Sequence, residues 1–234
     1  SLTNSLLDEG TPTQNADQLA ETFEGVGAEY GASALRDMAV TSIRSLTEAT
    51  AINTALETFA AVLATPTFPD KSFQRNRKAM LIGLQQEKAA PGKIAGKTYY
   101  KAIYGDHPYG SHSGGNEQSL KAMTLDNVKA FHQQYYVARN AVVAIVGDVS
   151  RKQAEAIAEQ LTTKLRVGEK AKAIAAVAGL EKASKQRIVH ESQQTHILVG
   201  QPGMRRGDAD YITLYVGNHI LGCSGLISRI SDVI

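Results

Sequence analysis

The sequence predicts an α+β fold for the first two thirds of the chain. Residues 28–46 alternate in polarity around Arg36-Asp37, which is typical of a β-hairpin. Several longer segments that follow carry apolar residues at helical spacing, and the run NAVVAIVGDV at residues 140–149 is rich in β-branched residues. A hairpin, successive helices and a buried strand together indicate helices packed on a sheet.

Each helix is justified by an apolar stripe and by a local boundary signal. The segment 49–64 has its apolar side chains on one face and stops at Thr65-Pro66. A second helix is predicted from Pro69-Asp70 to Pro91 and a third from Gly92 to Tyr104, because proline and glycine commonly bound helices. After a loop rich in Gly, Ser and His, further helices are predicted at residues 125–135 and from Ser150, an N-cap, to about residue 165.

The chain divides into two units by composition. Residues 1–165 form one predicted domain, and residues 166–184, rich in Ala, Lys and Gly without clean alternation, are predicted to be a linker. Residues 185–234 open a new unit that starts with strand-like alternation and continues into a helix after Asp208 and Asp210. Because the sequence begins without Met and ends without a helix cap, we expect it to be part of a longer protein.

Composition excludes several classes of protein. The 234 residues carry a formal net charge of +2, too close to neutral for nucleic-acid binding driven by phosphate neutralisation. No apolar run is long enough to span a membrane. The single cysteine, Cys223, excludes an intramolecular disulfide and any all-cysteine metal site, and no histidine base accompanies it for nucleophilic catalysis.

Several motifs together resemble the insulinase, pitrilysin and mitochondrial processing peptidase family of zinc metallopeptidases, in its smaller bacterial two-domain form. The matching residues are Gly10-Thr11, Gly27, Arg36-Asp37, the segment YGDHPYG at 104–110 and the run ending in Val146-Gly147-Asp148. The resemblance continues after the linker. It implies a mostly antiparallel sheet flanked by helices, duplicated along the chain, with the second copy truncated here.

In that family the first helix carries the motif H-x-x-E-H, which supplies two zinc ligands and a general base, and a later Glu supplies the third ligand. Aligned on Gly10-Thr11, the corresponding positions here are Ser1, Asn4 and Ser5. The third-ligand position falls on Gly83 if a small shift near Pro66 is allowed, and on Leu81 without that shift. A neutral hydroxyl is a poor zinc ligand and an amide cannot accept a proton as a base. We therefore predict no catalytic residue, no metal site and no cofactor in this chain.

The remaining histidines give no stronger metal site. His107 and His112 lie in one loop but have no evident third ligand. His190 and His196 lie on one predicted strand, where six residues span roughly 20 Å, too far for one coordination sphere. A Gly114-Gly115 pair lacks the Lys-Ser/Thr of a phosphate loop.

The resemblance also implies a peptide-binding role, which needs no catalytic residues. In related peptidases an exposed hairpin strand pairs with extended substrate, and that strand matches residues 30–34, with Gly31, Ala32 and Ser33 as candidate peptide-binding residues. The alternative, that this strand is merely covered by its neighbours, stays open.

The resemblance suggests a non-catalytic subunit that pairs with a zinc-bearing homologue, as a heterodimer or homodimer, to bind and process peptides in the periplasm. Zinc is expected only in that partner. One alternative is a structural scaffold without substrate, like the peptidase-derived core subunits of respiratory complexes. Another is a working protease whose zinc site lies at positions other than those aligned here.

Overall fold

The structure, a computed structural model, describes residues 1–223 and 225–233. Helices dominate it, and its described part contains one two-stranded antiparallel sheet. The α+β prediction is therefore confirmed in its coarse form, whereas the mostly antiparallel sheet is represented by this single hairpin. The strands are β1 (Glu29–Ala34) and β2 (Ala39–Arg44).

The chain begins with a 3-10 helix, Asn4–Glu9, and then forms helices α1 to α9. Their bounds are α1 (Ala16–Gly25), α2 (Ala49–Ala64), α3 (Asp70–Lys88), α4 (Pro91–Tyr104), α5 (Glu117–Ala122), α6 (Leu125–Tyr135), α7 (Arg151–Thr163), α8 (Tyr211–Asn218) and α9 (Arg229–Val233).

Helix boundaries follow the local signals of the sequence. Helix α2 ends at Ala64, immediately before the predicted stop, and α4 begins at Pro91. Ser150 caps α7 in a reciprocal capping box with Gln153. The sequence interpretation did not predict α1, although Asn15 and Gln18 form the same kind of box at its start. That pattern, followed by Leu19 and Phe23 on one face, was the available signal.

The core lies between the opening 3-10 helix, α1, the hairpin and α2. Leu6, Leu7 and Val62 have no exposed surface, and Phe73 from α3 is 2% exposed. Helix α7 packs against α2, with Leu161 joining the same cluster. The amino-terminal 3-10 helix is therefore anchored by apolar burial, which holds the adjacent polar residues in fixed positions.

The prediction of a buried strand at residues 140–149 was wrong. This segment forms no strand among the described residues, and Val142 and Val146 are 96% and 99% exposed. The strand-like alternation after residue 185 likewise forms no paired strand in the described residues. Their composition favours strands, but a strand forms only when a neighbour supplies its hydrogen bonds. Among the described residues, no helix is both long and apolar enough to cross a membrane.

Candidate functional site

The three residues that the sequence alignment places at the zinc-motif positions, Ser1, Asn4 and Ser5, lie in different environments at the start of the chain. Ser1 and Ser5 are exposed, whereas Asn4 is only 3% exposed. The Ser5 hydroxyl donates a hydrogen bond to the Leu2 carbonyl at 3.0 Å. Burial of Leu2, Leu6 and Leu7 on the opposite face fixes this short helix. The motif positions therefore remain ordered without a metal ligand among them.

Helix α3 contacts the 3-10 helix and contains Gly83, the residue that the sequence alignment places at the third-ligand position. The Asn76 side chain donates to the Ser5 carbonyl at 3.1 Å, and Arg75 forms an ion pair with Glu9. Gly83 lies seven residues after Asn76, two helical turns away and on the same face. A methyl group added at Gly83 would meet no atom within 4 Å. Gly83 therefore lies on the face of α3 that carries Asn76, but it has no side-chain atom that could bind a metal.

The residues at these positions do not fit zinc. Zinc sites in proteins are built from thiolate, imidazole and carboxylate donors, usually three or four of them. The four positions here provide two hydroxyls, a carboxamide and a glycine. Across the described residues, no group of three or more His, Cys, Asp or Glu side chains is arranged to hold a metal ion. No zinc-dependent step can be derived from these side chains.

Instead of a base, position 4 provides a hydrogen-bonded amide. The Asn4 side chain donates to the Ser33 carbonyl at 2.8 Å and, at 3.4 Å, to the Val40 carbonyl, which lies opposite Ser33 in the hairpin. Its oxygen accepts a hydrogen bond from the Tyr136 hydroxyl at 2.8 Å. Nothing in the sequence places Tyr136 at this site. No local signal identifies this contact, since the two residues are 132 positions apart.

Burial keeps the aromatic groups around Asn4 neutral. Desolvation raises the pKa of Tyr136 to about 12. Desolvation, with a smaller contribution from the nearby Asp8 carboxylate, also raises the pKa of Tyr30. Burial raises the pKa of Asp8 as well. Near neutral pH, the Tyr136 hydroxyl therefore retains the proton that it donates to Asn4.

Along β1, the backbone groups of alternate residues point away from β2. Leu35 N–H donates to Met38 O at 2.8 Å, which marks these two as a hydrogen-bonded pair at the turn. Because such pairs alternate along an antiparallel ladder, Ser33 and Gly31 point their backbone groups at β2, while those of Ala32 point outward. Tyr30 and Ala34 share the outward direction. Ala32 and Ser33 are exposed and Gly31 is half-buried.

The hairpin turn is held by a second set of contacts. Arg36 donates to the carbonyls of Tyr109 and Ser111 at 2.6 and 2.8 Å, and its guanidinium lies 3.9 Å from the centre of the Tyr100 ring. The Tyr109 hydroxyl donates to Asp37 at 2.8 Å. The Arg36-Asp37 pair and the His-Pro-Tyr-Gly segment, both noted in the sequence, thus contact each other.

The histidines considered as ligands serve local structure. His107 accepts a hydrogen bond from Tyr109 N–H, and its other ring nitrogen lies 3.0 Å from the Ala175 carbonyl. His112 likewise accepts from Gly114 N–H and faces Glu87 at 3.9 Å. His190 and His196 are exposed. These contacts orient loops and do not assemble a metal-binding cluster in the described part of the chain.

Two protein-family models together match most of the chain. Residues 2–117 match the model for insulinase, peptidase family M16, and residues 122–230 match the model for the peptidase M16 inactive domain. The chain belongs to peptidase family M16. The family resemblance predicted from the Gly-Thr, Arg-Asp and His-Pro-Tyr-Gly motifs is confirmed.

Solved structures and curated relatives agree with this assignment. A peptidase M16 inactive domain from Pseudomonas fluorescens is 38% identical with a TM-score of 0.89, covering 99% of this chain and 56% of that one. An uncharacterised zinc protease of Bacillus subtilis is 24% identical over 96% of this chain and 54% of its own length. The periplasmic protease PqqL of Escherichia coli has a similar fold, with 17% identity, a TM-score of 0.66 and coverage of 76% and 20%. This M16 chain spans about half the length of the first two relatives.

Proposed function

We propose that this M16 chain is a non-catalytic subunit that binds extended peptides and acts together with a zinc-bearing M16 homologue. The single observation that carries the proposal is the contrast between the side chains at the zinc-motif positions and the backbone of the neighbouring strand β1. The zinc and base positions hold side chains that cannot perform those roles, while β1 beside them presents ordered, outward-facing backbone groups. Loss of catalytic side chains leaves strand pairing intact because main-chain hydrogen bonds do not depend on side-chain identity.

The peptide-binding strand is proposed at Gly31, Ala32 and Ser33. Ala32 supplies outward N–H and C=O groups, and its small exposed side chain allows close approach of a peptide backbone. Gly31 and Ser33 use their backbone groups to pair with β2 and keep the strand straight. Tyr30 and Ala34 extend the outward row at either end. An extended peptide of three to five residues would therefore add to β1 as a new strand.

The partner and the compartment belong to the same proposal. Exposed aliphatic side chains at residues 142, 146, 189 and 199 lie outside the core and support burial against further protein. A zinc-bearing homologue would supply the metal, so zinc is a cofactor of the assembly rather than of this chain. The fold shared with a periplasmic protease supports a periplasmic location.

We also propose that residues 1–165 and 185–234 are separate units, the second being the start of a duplicated domain, joined by the linker 166–184. Helix α7 completes the first unit by packing on α2, whereas the linker has no helix or strand and is mostly exposed. Limited proteolysis should cut first within 166–184. Initial cleavage inside α2 or α3 would contradict this division.

The test combines metal analysis with reconstitution. The purified full-length protein should contain far less than one equivalent of zinc after incubation with excess zinc and desalting, and should not cleave a library of unstructured peptides. Addition of the zinc-bearing M16 homologue from the same organism should give cleavage that exceeds the activity of that homologue alone. A matched preparation of the homologue with its base Glu replaced by Gln controls for contaminating proteases.

The outcomes separate the three functions. Stoichiometric zinc with activity of this protein alone would show a working protease. A stable complex with the homologue and no change in cleavage or peptide affinity would show a scaffold. Only enhanced cleavage or peptide binding in the complex supports the proposed subunit.

A further inference from the structure

The position that carries the general base in zinc-bearing relatives holds, in this chain, a bridge between the first helix and the hairpin. Asn4 is 3% exposed, and its amide nitrogen contacts Ser33 O at 2.8 Å and Val40 O at 3.4 Å. Ser33 and Val40 face each other across the two strands. One side chain therefore contacts both strands at the same rung of the ladder.

Only a carboxamide satisfies all three partners of Asn4. The two carbonyl oxygens can only accept hydrogen bonds, so the atom that faces them must donate. The third partner, the Tyr136 hydroxyl, remains protonated because burial raises its pKa to about 12, so the atom facing it can accept. An ionised carboxylate at position 4 would direct lone pairs at two carbonyl oxygens. The family's base and this bridge have opposite hydrogen-bonding requirements.

The bridge acts at the strand that we propose to bind peptide. Ser33 directly follows Ala32, whose backbone groups point outward from β1. The hairpin turn is anchored separately, through Arg36 and Asp37 on the Tyr109 segment. Asn4 therefore holds the end of β1 that lies next to the turn, through Ser33.

We propose that Asn4 is a positioning residue that fixes β1 for peptide pairing by connecting the first helix to the hairpin. The inference rests on the proposed function in taking a peptide as the ligand. The bridge itself is defined by the contacts of Asn4. Loss of the amide donor should therefore loosen the hairpin and weaken peptide binding, and it should change the rest of the domain much less.

The test uses Asn4→Asp, which keeps the size of the side chain and replaces the donor by an acid. At pH 7 to 8 the hairpin amides of residues 29–44 should exchange about tenfold faster with deuterium, after correction for intrinsic rates, with little change in α2. Affinity for an extended peptide selected on the wild-type protein should fall by about the same factor. Burial raises the pKa of the introduced carboxyl, and its protonated form donates one hydrogen bond. Protection and affinity should therefore recover as the pH is lowered towards 5.

Two variants control for unrelated effects. Asn53→Asp makes the same chemical change at an exposed position of α2 and should alter neither readout. Asn4→Ala removes the donor without adding charge and should give a loss confined to the hairpin that does not recover at low pH. This variant also decides the question if Asn4→Asp fails to fold.

Three results would overturn the inference. These are hairpin protection in the Asn4 variants equal to that of Asn53→Asp, a loss spread evenly over α2 and the hairpin, and an Asn4→Asp effect that is independent of pH. A wild-type protein that binds no peptide would instead contradict the proposed function. Hairpin exchange would then still test whether Asn4 fixes β1.

Discussion

At the scale of single residues, the positions that the sequence aligns with the zinc motif carry side chains unsuited to binding zinc. Ser5 and Gly83 have neither the donor atoms nor the charge of a zinc ligand. Asn4 is buried and uses its polar atoms in contacts with the hairpin and Tyr136. The mismatch between these residue types and zinc is read from residue identities alone. The new hydrogen bonds could not, because their partners lie 29 to 132 residues away.

The Arg36 side chain gives a prediction about hairpin stability. Arg36→Lys should lower the free energy of unfolding by about 1–2 kcal/mol, because an ammonium cannot contact both the Tyr109 and Ser111 carbonyls and stack on Tyr100. Urea denaturation measures this change. The matched control is Arg44→Lys on the same hairpin, where an exposed ion pair with Glu29 contributes at most about 0.5 kcal/mol. Equal losses in the two variants would contradict the role of Arg36.

At the scale of elements, most helices were predicted but α1, α5 and α9 were missed, and strands were less predictable. Proline at residue 91 and capping boxes at residues 116, 124 and 150 mark helix starts through contacts within three residues. The hairpin was also predictable because its two strands are adjacent in sequence. The apolar run at residues 140–149 needs a distant neighbour to become a strand, and the described residues provide none. Composition alone therefore gave the wrong assignment there.

Helix α7 offers a prediction about capping. Ser150→Ala should destabilise the protein by about 1 kcal/mol, because Gln153 N–H loses the hydroxyl that accepts its hydrogen bond. Circular dichroism during urea unfolding gives the free-energy change. Ser184→Ala, at an exposed residue outside any helix, is the matched control and should change stability by less than about 0.5 kcal/mol. A capping variant no less stable than this control would show that α7 does not contribute to global stability.

At the scale of the whole molecule, the amino-terminal core connects elements distant in sequence. Helix α6 contacts the end of α2 through His132, which is 8% exposed and donates from Nε2 to the Leu63 carbonyl at 2.9 Å. The Phe68 ring lies against the imidazole edge to face, with centroids 5.3 Å apart. Such contacts join α2, α6 and the intervening chain into one packed unit.

Burial of His132 predicts how stability depends on pH. Desolvation lowers the pKa of His132 below its ordinary value of 6.5, so the unfolded chain binds the proton more readily than the folded one. The free energy of unfolding should therefore fall as the pH decreases through 6.5. In His132→Gln, whose amide can still donate to Leu63 O, this decline should be smaller. Urea titrations between about pH 5 and 8 measure this decline in the free energy of unfolding. The exposed residue His190 provides the control variant, His190→Gln. If the free energy of unfolding depends on pH equally in the two variants, His132 is not the cause.

The sequence by itself determined the family, most helices and the hairpin. Each of these depends on residue identity or on interactions within a few positions of the chain. The tertiary structure decided what Asn4 contacts, which backbone groups of β1 remain free, and that the aliphatic run at residues 140–149 is exposed. These properties arise when distant segments meet, because a hydrogen bond or a buried surface requires both partners in place.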